Sequence, residues 1–168
     1  MHGEENQMNE FMIKESDVDA LPPKKRKLAQ HLLEILKKIM QDGEPKVLNN
    51  PQAVFENVGD LITLFQEHFV VLFLDTKNRM IKRKTIFVGS LNAAIVHPRE
   101  VFKAAIENSA ASIICVHNHP SGNPTPSQED ILLTKRLVNV GELVGIDVLD
   151  HVVVGREGFV SLKERGLM

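Results

Sequence analysis

The sequence predicts an α/β domain built on a mixed β-sheet flanked by helices, preceded by an N-terminal helical extension. The first observation is a set of short apolar runs, such as residues 69–74 and 111–116, which indicate buried strands. The second is that these runs alternate with segments whose apolar residues recur at helical spacing. The resulting element order, β-β-α-β-α-β-β, predicts a mixed sheet with helices packed on it.

Length and composition limit the class of protein. The 168 residues suffice for one domain plus an extension, and a hydrophobic content of 43% is ordinary for a globular protein. No apolar run approaches the roughly 18 residues of a membrane span, and the single cysteine, Cys115, excludes an internal disulfide. Without an export signal, the expected location is the cytoplasm. The net charge of −2 argues against a globally basic nucleic-acid-binding protein.

The composition changes along the chain and predicts three regions. Residues 1–23 are acidic and weakly periodic, which predicts a flexible tail. Residues 24–49 predict a helix and a linker, and residues 50–168 predict the domain. The basic cluster Lys24–Lys27 fits a localisation signal or a small nucleic-acid patch, but its shortness favours a solvated helix start. An apolar stripe on the same helix is expected to pack on the domain or on a second copy, and it comprises Leu28, Leu32, Ile35 and Ile39.

The elements of the domain follow in order. Asn50 caps a helix with Pro51 at its first position, and the helix is expected to end near Glu67. Its buried face comprises Val54, Val58, Leu61, Ile62 and Phe65. Gly89 and Asn92 punctuate the connection to the next helix. The other expected elements are strands at 69–74, 80–88, 111–116, 146–154 and 159–162, and helices at 97–108 and from residue 126 onward.

Two histidines follow directly on the apolar run 111–116. Because side chains alternate along a strand, His117 and His119 point to the same side at its C-terminal end. Two imidazoles on one side supply half of the ligands of a tetrahedral zinc site. The strand end is therefore a candidate metal site.

A third ligand is indicated by the helix start that comes next. Thr125 fits the N-cap, Pro126 the first helical position, and Gln128 completes a capping box. Asp130 then lies at the end of the core-facing stripe, where a buried carboxylate needs a partner. That stripe continues through Leu133, Leu137, Val140 and Val144. Three protein ligands leave a fourth position for water, which is the catalytic rather than the structural pattern of a zinc site.

A purely structural interpretation competes with the metal site. Ser127 and Asp130 have the spacing of a capping box, and the histidines lie beside prolines, as turn residues often do. Each residue alone is more often structural. The combined spacing, H-x-H-x7-S-x2-D, is hard to explain by capping and favours metal binding.

The H-x-H-P pattern with Ser127 and Asp130 resembles the JAMM motif of MPN/JAB metallopeptidases. The chain also resembles the RadC branch in three segments, residues 97–103, 117–122 and 150–155. The resemblance extends over about residues 54–168. It implies the MPN/JAB fold, which is cytidine-deaminase-like, and a zinc-dependent hydrolase of amide or isopeptide bonds. It identifies no substrate.

A hydrolase of this kind needs a base for its zinc-activated water. The JAMM pattern implies a glutamate at the start of the strand, and Glu67 occupies that place before residues 69–74. The competing interpretation is an exposed glutamate at a helix end. Glu100 is the rival base, although an acid in the first turn of a helix is explained by the macrodipole.

The other reactive side chains receive lesser roles. Ser127 is expected to donate its hydroxyl to the oxyanion of the tetrahedral intermediate. Cys115 shares strand parity with His117, but its apolar surroundings favour a buried structural thiol. His151 is interpreted as a core or supporting histidine and not as a ligand.

The sequence therefore predicts a zinc metallopeptidase with Zn²⁺ held by His117, His119 and Asp130, and with Glu67 and Ser127 as catalytic residues. Its partner would be a peptide or isopeptide substrate, without a membrane and with the oligomeric state open. The alternative is a DNA-repair or recombination accessory protein, which the RadC name implies. Residues 1–53 contain only Gly3 and Gly43, so the glycine-rich hairpin that often precedes this domain is not indicated.

Overall fold

The computed structural model describes residues 18–41, 46–89 and 96–168. The chain divides into two compact units, Met1–Glu44 and Pro45–Met168. Most of the expected N-terminal tail, residues 42–45 of the predicted linker region and the connection at Asn92 lie outside the described residues.

The N-terminal unit contains one long helix, α1, over Pro23–Gln41. This helix was predicted from its apolar stripe. Within the stripe, Leu28 is 62% exposed, Leu32 50% and Ile35 41%. Packing of this face against the domain or a second copy stays a prediction.

The C-terminal unit is organised around a five-stranded mixed sheet in the order β2-β1-β3-β4-β5. The strands are β1 (His68–Leu74), β2 (Met80–Val88), β3 (Ser112–Asn118), β4 (Asp147–Gly155) and β5 (Gly158–Ser161). Strands β3 and β4 pair in parallel, whereas the other neighbours pair antiparallel. The parallel pair requires a crossover helix, which is α4 (Gln128–Val144). The predicted α/β class with a mixed sheet is confirmed.

The remaining helices are shorter. They are α2 (Pro51–Asn57), followed by a 3₁₀ turn over Gly59–Thr63, and α3 (Pro98–Glu107). Asn50 caps α2 as predicted, since its side chain accepts a hydrogen bond from the backbone N–H of Ala53 at 2.8 Å.

The prediction that the helix after Asn50 continues to Glu67 was wrong. It ends at Asn57, just before Gly59, a residue that disfavours a helix interior. The inward positions are still filled, because Val54, Val58 and Leu61 are each at most 1% exposed. Phe65, expected on the buried face, is instead 97% exposed, because the chain has left the helix by that point.

Helices cover both faces of the central strands, which explains why those strands are continuously apolar. One face packs against α3 and α4 in a cluster that includes Phe69, Val71, Phe73, Ile113, Cys115, Val101, Phe102, Leu133 and Leu137. The other packs against α2 in a cluster that includes Val70, Leu72, Ile114, Val116, Val54, Val58 and Leu61. Odd-numbered side chains of β1 and β3 therefore face α3 and α4.

A β-bulge in β4 changes which of its side chains face α4. Ile113 pairs with Val148, but the next residue, Ile114, pairs with Asp150, so Leu149 is the extra residue. The shift places His151 opposite Cys115, on the face that carries His117. Without the extra residue, strict alternation would have turned His151 to the opposite face.

Asp150 locks this bulge in place. Its Oδ1 accepts hydrogen bonds from the backbone N–H of His151 at 2.7 Å and of Lys163 at 3.2 Å, and its Oδ2 accepts one from Ser161 Oγ at 2.6 Å. Burial raises the pKa of Asp150, although the bond from Ser161 partly offsets this effect. The orientation of His151 is thus fixed by residues beyond β4.

Candidate metal centre

Two histidines at the C-terminal end of strand β3 have side chains that differ in solvent exposure. The side chain of His117 is fully buried, whereas that of His119 is 15% exposed. The backbone N–H of His119 donates to the carbonyl of Val154 at 2.9 Å, so the strand pairing continues to this residue. Nδ1 of His119 lies 2.9 Å from the carbonyl oxygen of Asn123. A carbonyl only accepts, so Nδ1 carries the proton and a neutral His119 presents an unprotonated Nε2.

The N-terminus of α4 places the carboxylate. The prediction that Thr125 is the N-cap was wrong, because Ser127 occupies that position and the helix starts at Gln128. The Ser127 side chain accepts from the backbone N–H of Asp130 at 3.1 Å, and Asp130 Oδ2 accepts from the Ser127 backbone at 2.7 Å. The capping box weighed in the structural interpretation is therefore present, but with Asp130 in place of glutamate.

Four potential ligand atoms from three residues converge at this point. Nε2 of His117 lies 3.0 Å from Nε2 of His119 and 3.3 Å from Oδ1 of Asp130. Nε2 of His119 lies 3.6 Å from Oδ2 of Asp130. Ligand atoms about 2.0–2.1 Å from a tetrahedral zinc lie about 3.3–3.4 Å from one another. The observed separations lie near that edge length, although the two histidines approach different oxygens of Asp130, so two imidazoles and one carboxylate are close enough to hold a metal ion together.

The electrostatics of the cluster favour a positive charge between these side chains. Burial alone would raise the pKa of Asp130, but the neighbouring imidazoles of His117 and His119 hold it far below its ordinary value. The neighbouring carboxylate of Asp130 raises the pKa of His119 against the opposing effect of burial. An ionised carboxylate 2% exposed requires a cationic partner, which is a proton or a metal ion.

A buried polar chain lies behind His117. Nδ1 of His117 lies 2.8 Å from Nε2 of His151. Nδ1 of His151 in turn lies 2.5 Å from Oγ1 of Thr134. Burial lowers the pKa of His151 well below its ordinary value, so this ring is neutral. The sequence interpretation kept His151 as a supporting histidine and missed Thr134. The signal was a threonine one helical turn after Asp130, within an apolar stripe.

Glu67 lies at the same end of the sheet as the histidines. Strand β1 runs antiparallel to β3 and pairs Phe69 with His117, so Glu67, two residues earlier, approaches His119. The negative charge of Glu67 is one of the influences that raise the pKa of His119, after the hydrogen bond to Asp130. The structure therefore brings the predicted base and the predicted ligands together.

Asn118 holds the segment that carries Glu67. It lies between the two histidines, with its side chain on the opposite face of the sheet. Its Oδ1 accepts from the backbone N–H of His68 at 2.7 Å, and its Nδ2 donates to the carbonyl of Gln66 at 3.0 Å. Sequence reasoning missed this role, although the alternation of side chains already separates Asn118 from its neighbours.

Residues 48–167 match the family model described as RadC-like JAB domain. The chain belongs to this family. UPF0758 proteins of Geobacillus thermodenitrificans and Listeria monocytogenes are 56% and 57% identical over 137 and 129 residues, or 80% and 76% of this chain. A UPF0758 protein of Geobacillus kaustophilus is 51% identical over 154 residues, or 90% of the chain. The chain spans 61%, 58% and 68% of the lengths of these relatives, in the order named.

Two glycines shape the loop of this RadC-like domain that carries His119. Gly122 adopts a φ of +98°, and a Cβ on Gly155 would lie 2.2 Å from the carbonyl oxygen of Gly122. The same oxygen accepts from the backbone N–H of Glu157 at 3.1 Å. The turn between β4 and β5 therefore holds the loop whose Asn123 carbonyl orients His119.

The remaining sequence candidates fit their structural interpretations. Glu100 lies in the first turn of α3 and forms an exposed ion pair with Arg99 at 3.1 Å. Burial, with the nearby charge of Asp150, raises the pKa of the Cys115 thiol far above its ordinary value. Such a thiol is a poor nucleophile. The helices within residues 18–41, 46–89 and 96–168 all lack the combination of length and hydrophobicity that a membrane span needs.

Proposed function

We propose that this RadC-like JAB domain is a zinc-dependent hydrolase of peptide or isopeptide bonds. The observation that carries the proposal is the convergence of His117, His119 and Asp130 at separations of 3.0–3.6 Å. His117 and Asp130 are buried, whereas His119 is partly open to solvent. This asymmetry leaves one side of the cluster accessible, as a catalytic site requires.

The proposed roles follow from the chemistry of each side chain. His117, His119 and Asp130 would hold Zn²⁺, which supplies Lewis acidity that activates water and polarises a carbonyl. Glu67 would accept the proton of the attacking water and return it to the leaving amine. Its place beside His119 supports this role, because the proton acceptor must lie next to the ligand cluster.

Ser127 would assist the developing oxyanion. In the structure its hydroxyl donates to Oδ2 of Asp130 at 2.6 Å. The backbone N–H of Ser127 donates to the same oxygen at 2.7 Å, so the cap keeps one hydrogen bond when the hydroxyl turns toward substrate. Serine is therefore suited to serve both the helix and the reaction.

The test combines metal analysis with a substrate screen. Protein purified without chelator is expected to hold about one zinc per chain and to cleave at least one member of a panel of peptides and isopeptide-linked peptides. His119→Ala should lose both properties, while His31→Ala, on α1, should keep both. Absence of zinc from metal-replete protein, or zinc content unaffected by His119→Ala, would overturn the proposed site.

A DNA-associated role is the second candidate. Lys24, Lys25 and Lys27 are exposed at the start of α1 and form a local basic cluster in a chain of net charge −2. If this cluster binds DNA, affinity should fall steeply with salt and should be lost on replacing the three lysines with glutamine. Affinity that survives the replacement would exclude the cluster as the DNA contact.

A further inference from the structure

A series of hydrogen-bonded side chains runs from α4 through β4 to β3. It links Thr134, His151 and His117, all of which are 0% exposed. The rings of Phe69 and His151 form a T-shaped pair, with the ring centroids 5.5 Å apart. Three polar side chains enclosed in an apolar layer are costly unless each hydrogen bond is made in the correct direction.

The hydrogen bonds that link Thr134, His151 and His117 can all donate toward Thr134 or all donate toward His117. The position of Thr134 distinguishes the two directions. Oγ1 of Thr134 lies 2.6 Å from the carbonyl oxygen of Asp130, one helical turn earlier. A hydroxyl has one proton, and a helical threonine commonly donates it to the carbonyl four residues back. Thr134 then only accepts from His151, so Nδ1 of His151 carries the proton.

The remaining protons follow from that assignment. The ring of His151 is 0% exposed and its two nitrogens contact an imidazole and a hydroxyl, neither of which compensates a positive charge. The ring is therefore neutral with one N–H, and its Nε2 is an acceptor. Nδ1 of His117, 2.8 Å away, must donate to it. The proton of His117 is therefore on Nδ1, and Nε2, which faces His119 and Asp130, presents a lone pair. In the reverse direction His117 would present an N–H to the ligand cluster and could not bind a metal.

We propose that His151 and Thr134 are positioning residues that select the metal-binding tautomer of His117. The chain starts at the carbonyl of Asp130, so the residue that supplies the carboxylate also orients the first histidine through its own backbone. The inference rests on the proposed metal site, and it assigns to buried residues a function beyond filling the core. Loss of such a partner of a ligand typically costs about 10–100-fold in metal affinity.

The test measures zinc affinity by competition with a chromogenic chelator. Thr134→Val keeps the shape but removes the acceptor for His151, and it is expected to weaken zinc binding about 10–100-fold. Thr134→Ser retains a hydroxyl and should restore affinity to within a few-fold of the parent. Thr63→Val is the control, since that exposed threonine also donates its hydroxyl to a helical carbonyl, that of Asp60. It should leave the affinity unchanged.

A spectroscopic measurement tests the tautomer without any substitution. Nitrogen-15 NMR of the metal-free parent, above the ordinary pKa of histidine, should show His117 protonated at Nδ1 and His151 protonated at Nδ1. Thr134→Val should shift the population toward His117 protonated at Nε2. This measurement separates tautomer selection from a merely structural role, which would change stability and leave the protonation pattern alone.

The outcomes distinguish this inference from the proposed function. If the parent holds no zinc, the metal site itself fails. If the parent binds zinc and Thr134→Val binds it equally well, only the positioning role fails. If His117 of the metal-free parent is protonated at Nε2, the inference is also overturned. This result needs no variant, so it decides the question even if Thr134→Val does not fold.

Discussion

The two histidines of the same motif are held in opposite ways. His117 is buried, and its second nitrogen contacts a chain of side chains, His151 and Thr134. His119 is partly exposed, and its second nitrogen donates to a backbone carbonyl, that of Asn123. Side-chain substitutions therefore reach the first histidine directly, whereas the second responds to changes in the backbone path of its loop. The proposed metal site therefore has two different supports.

Asp130 is common to both supports, and its loss should have the largest effect. Asp130→Asn removes the charge that partners both histidines, while an amide oxygen still accepts from the Ser127 backbone and preserves the cap. Zinc affinity should fall by more than the ~10–100-fold expected for loss of a supporting partner, and activity should disappear with it. Chelator competition and far-UV circular dichroism together check the result. An unchanged affinity in a folded variant would remove Asp130 from the ligand set.

Substitution of Glu67 is expected to change turnover without changing zinc binding. Glu67→Gln keeps the size of the side chain but cannot accept a proton, so turnover should fall roughly 10²–10⁴-fold with zinc binding intact. Glu100→Gln provides the matched control on α3 and should leave both quantities unchanged. If Glu67→Gln retains full turnover on a substrate that the parent cleaves, the base lies elsewhere.

The exposed support is tested by Gly155→Ala. The added Cβ would lie 2.2 Å from the Gly122 carbonyl oxygen, so the loop must move, and overpacking of this kind costs about 1–3 kcal/mol of stability. Because the loop also carries Asn123, zinc affinity should decline together with melting temperature. Gly59→Ala is the control, because no atom lies within 4 Å of its added Cβ. Intact zinc affinity in Gly155→Ala would show that His119 does not depend on this contact.

The smallest effect is expected at Asn118. Asn118→Asp keeps the acceptor for the His68 N–H but places an oxygen against the Gln66 carbonyl, which loosens the segment carrying Glu67. Because position 118 is 1% exposed, the introduced carboxyl is expected to stay protonated, so the cost is that of one weakened hydrogen bond. Such a loss is worth about 1 kcal/mol, and turnover should decrease by roughly tenfold or less. Zinc content should be unaffected, in contrast to Gly155→Ala. Reduced zinc content in Asn118→Asp would show that the segment carrying Glu67 also supports the ligands.

Local patterns predicted the individual strands and helices and the direction in which the candidate ligands point. Alternation placed His117 and His119 together because β3 is regular up to its end. The apolar stripe of α4 placed Asp130 inward even though the N-cap was assigned two residues too early. These inferences succeeded because each depends on neighbours within one element.

The missed features depend on contacts between elements. Alternation along β4 cannot reveal that Leu149 is an extra residue, because the bulge exists only relative to β3. The chain behind His117 was missed for the same reason, since Thr134 and His151 meet only after α4 packs on the sheet. Helix α2 ends early because Gly59 disfavours a helix interior, even though apolar residues continue beyond it at helical spacing.

The anchoring of Asp150 has a consequence for the order of assembly. During synthesis the N-terminal portions of a chain emerge first. His117, His119 and Asp130 are all available before Ser161 and Lys163, whose hydrogen bonds to Asp150 lock the bulge that turns His151. A nascent chain therefore possesses every proposed ligand while the support behind His117 is unfinished. Maturation of the centre is completed only when β5 and the residues after it have closed over β4.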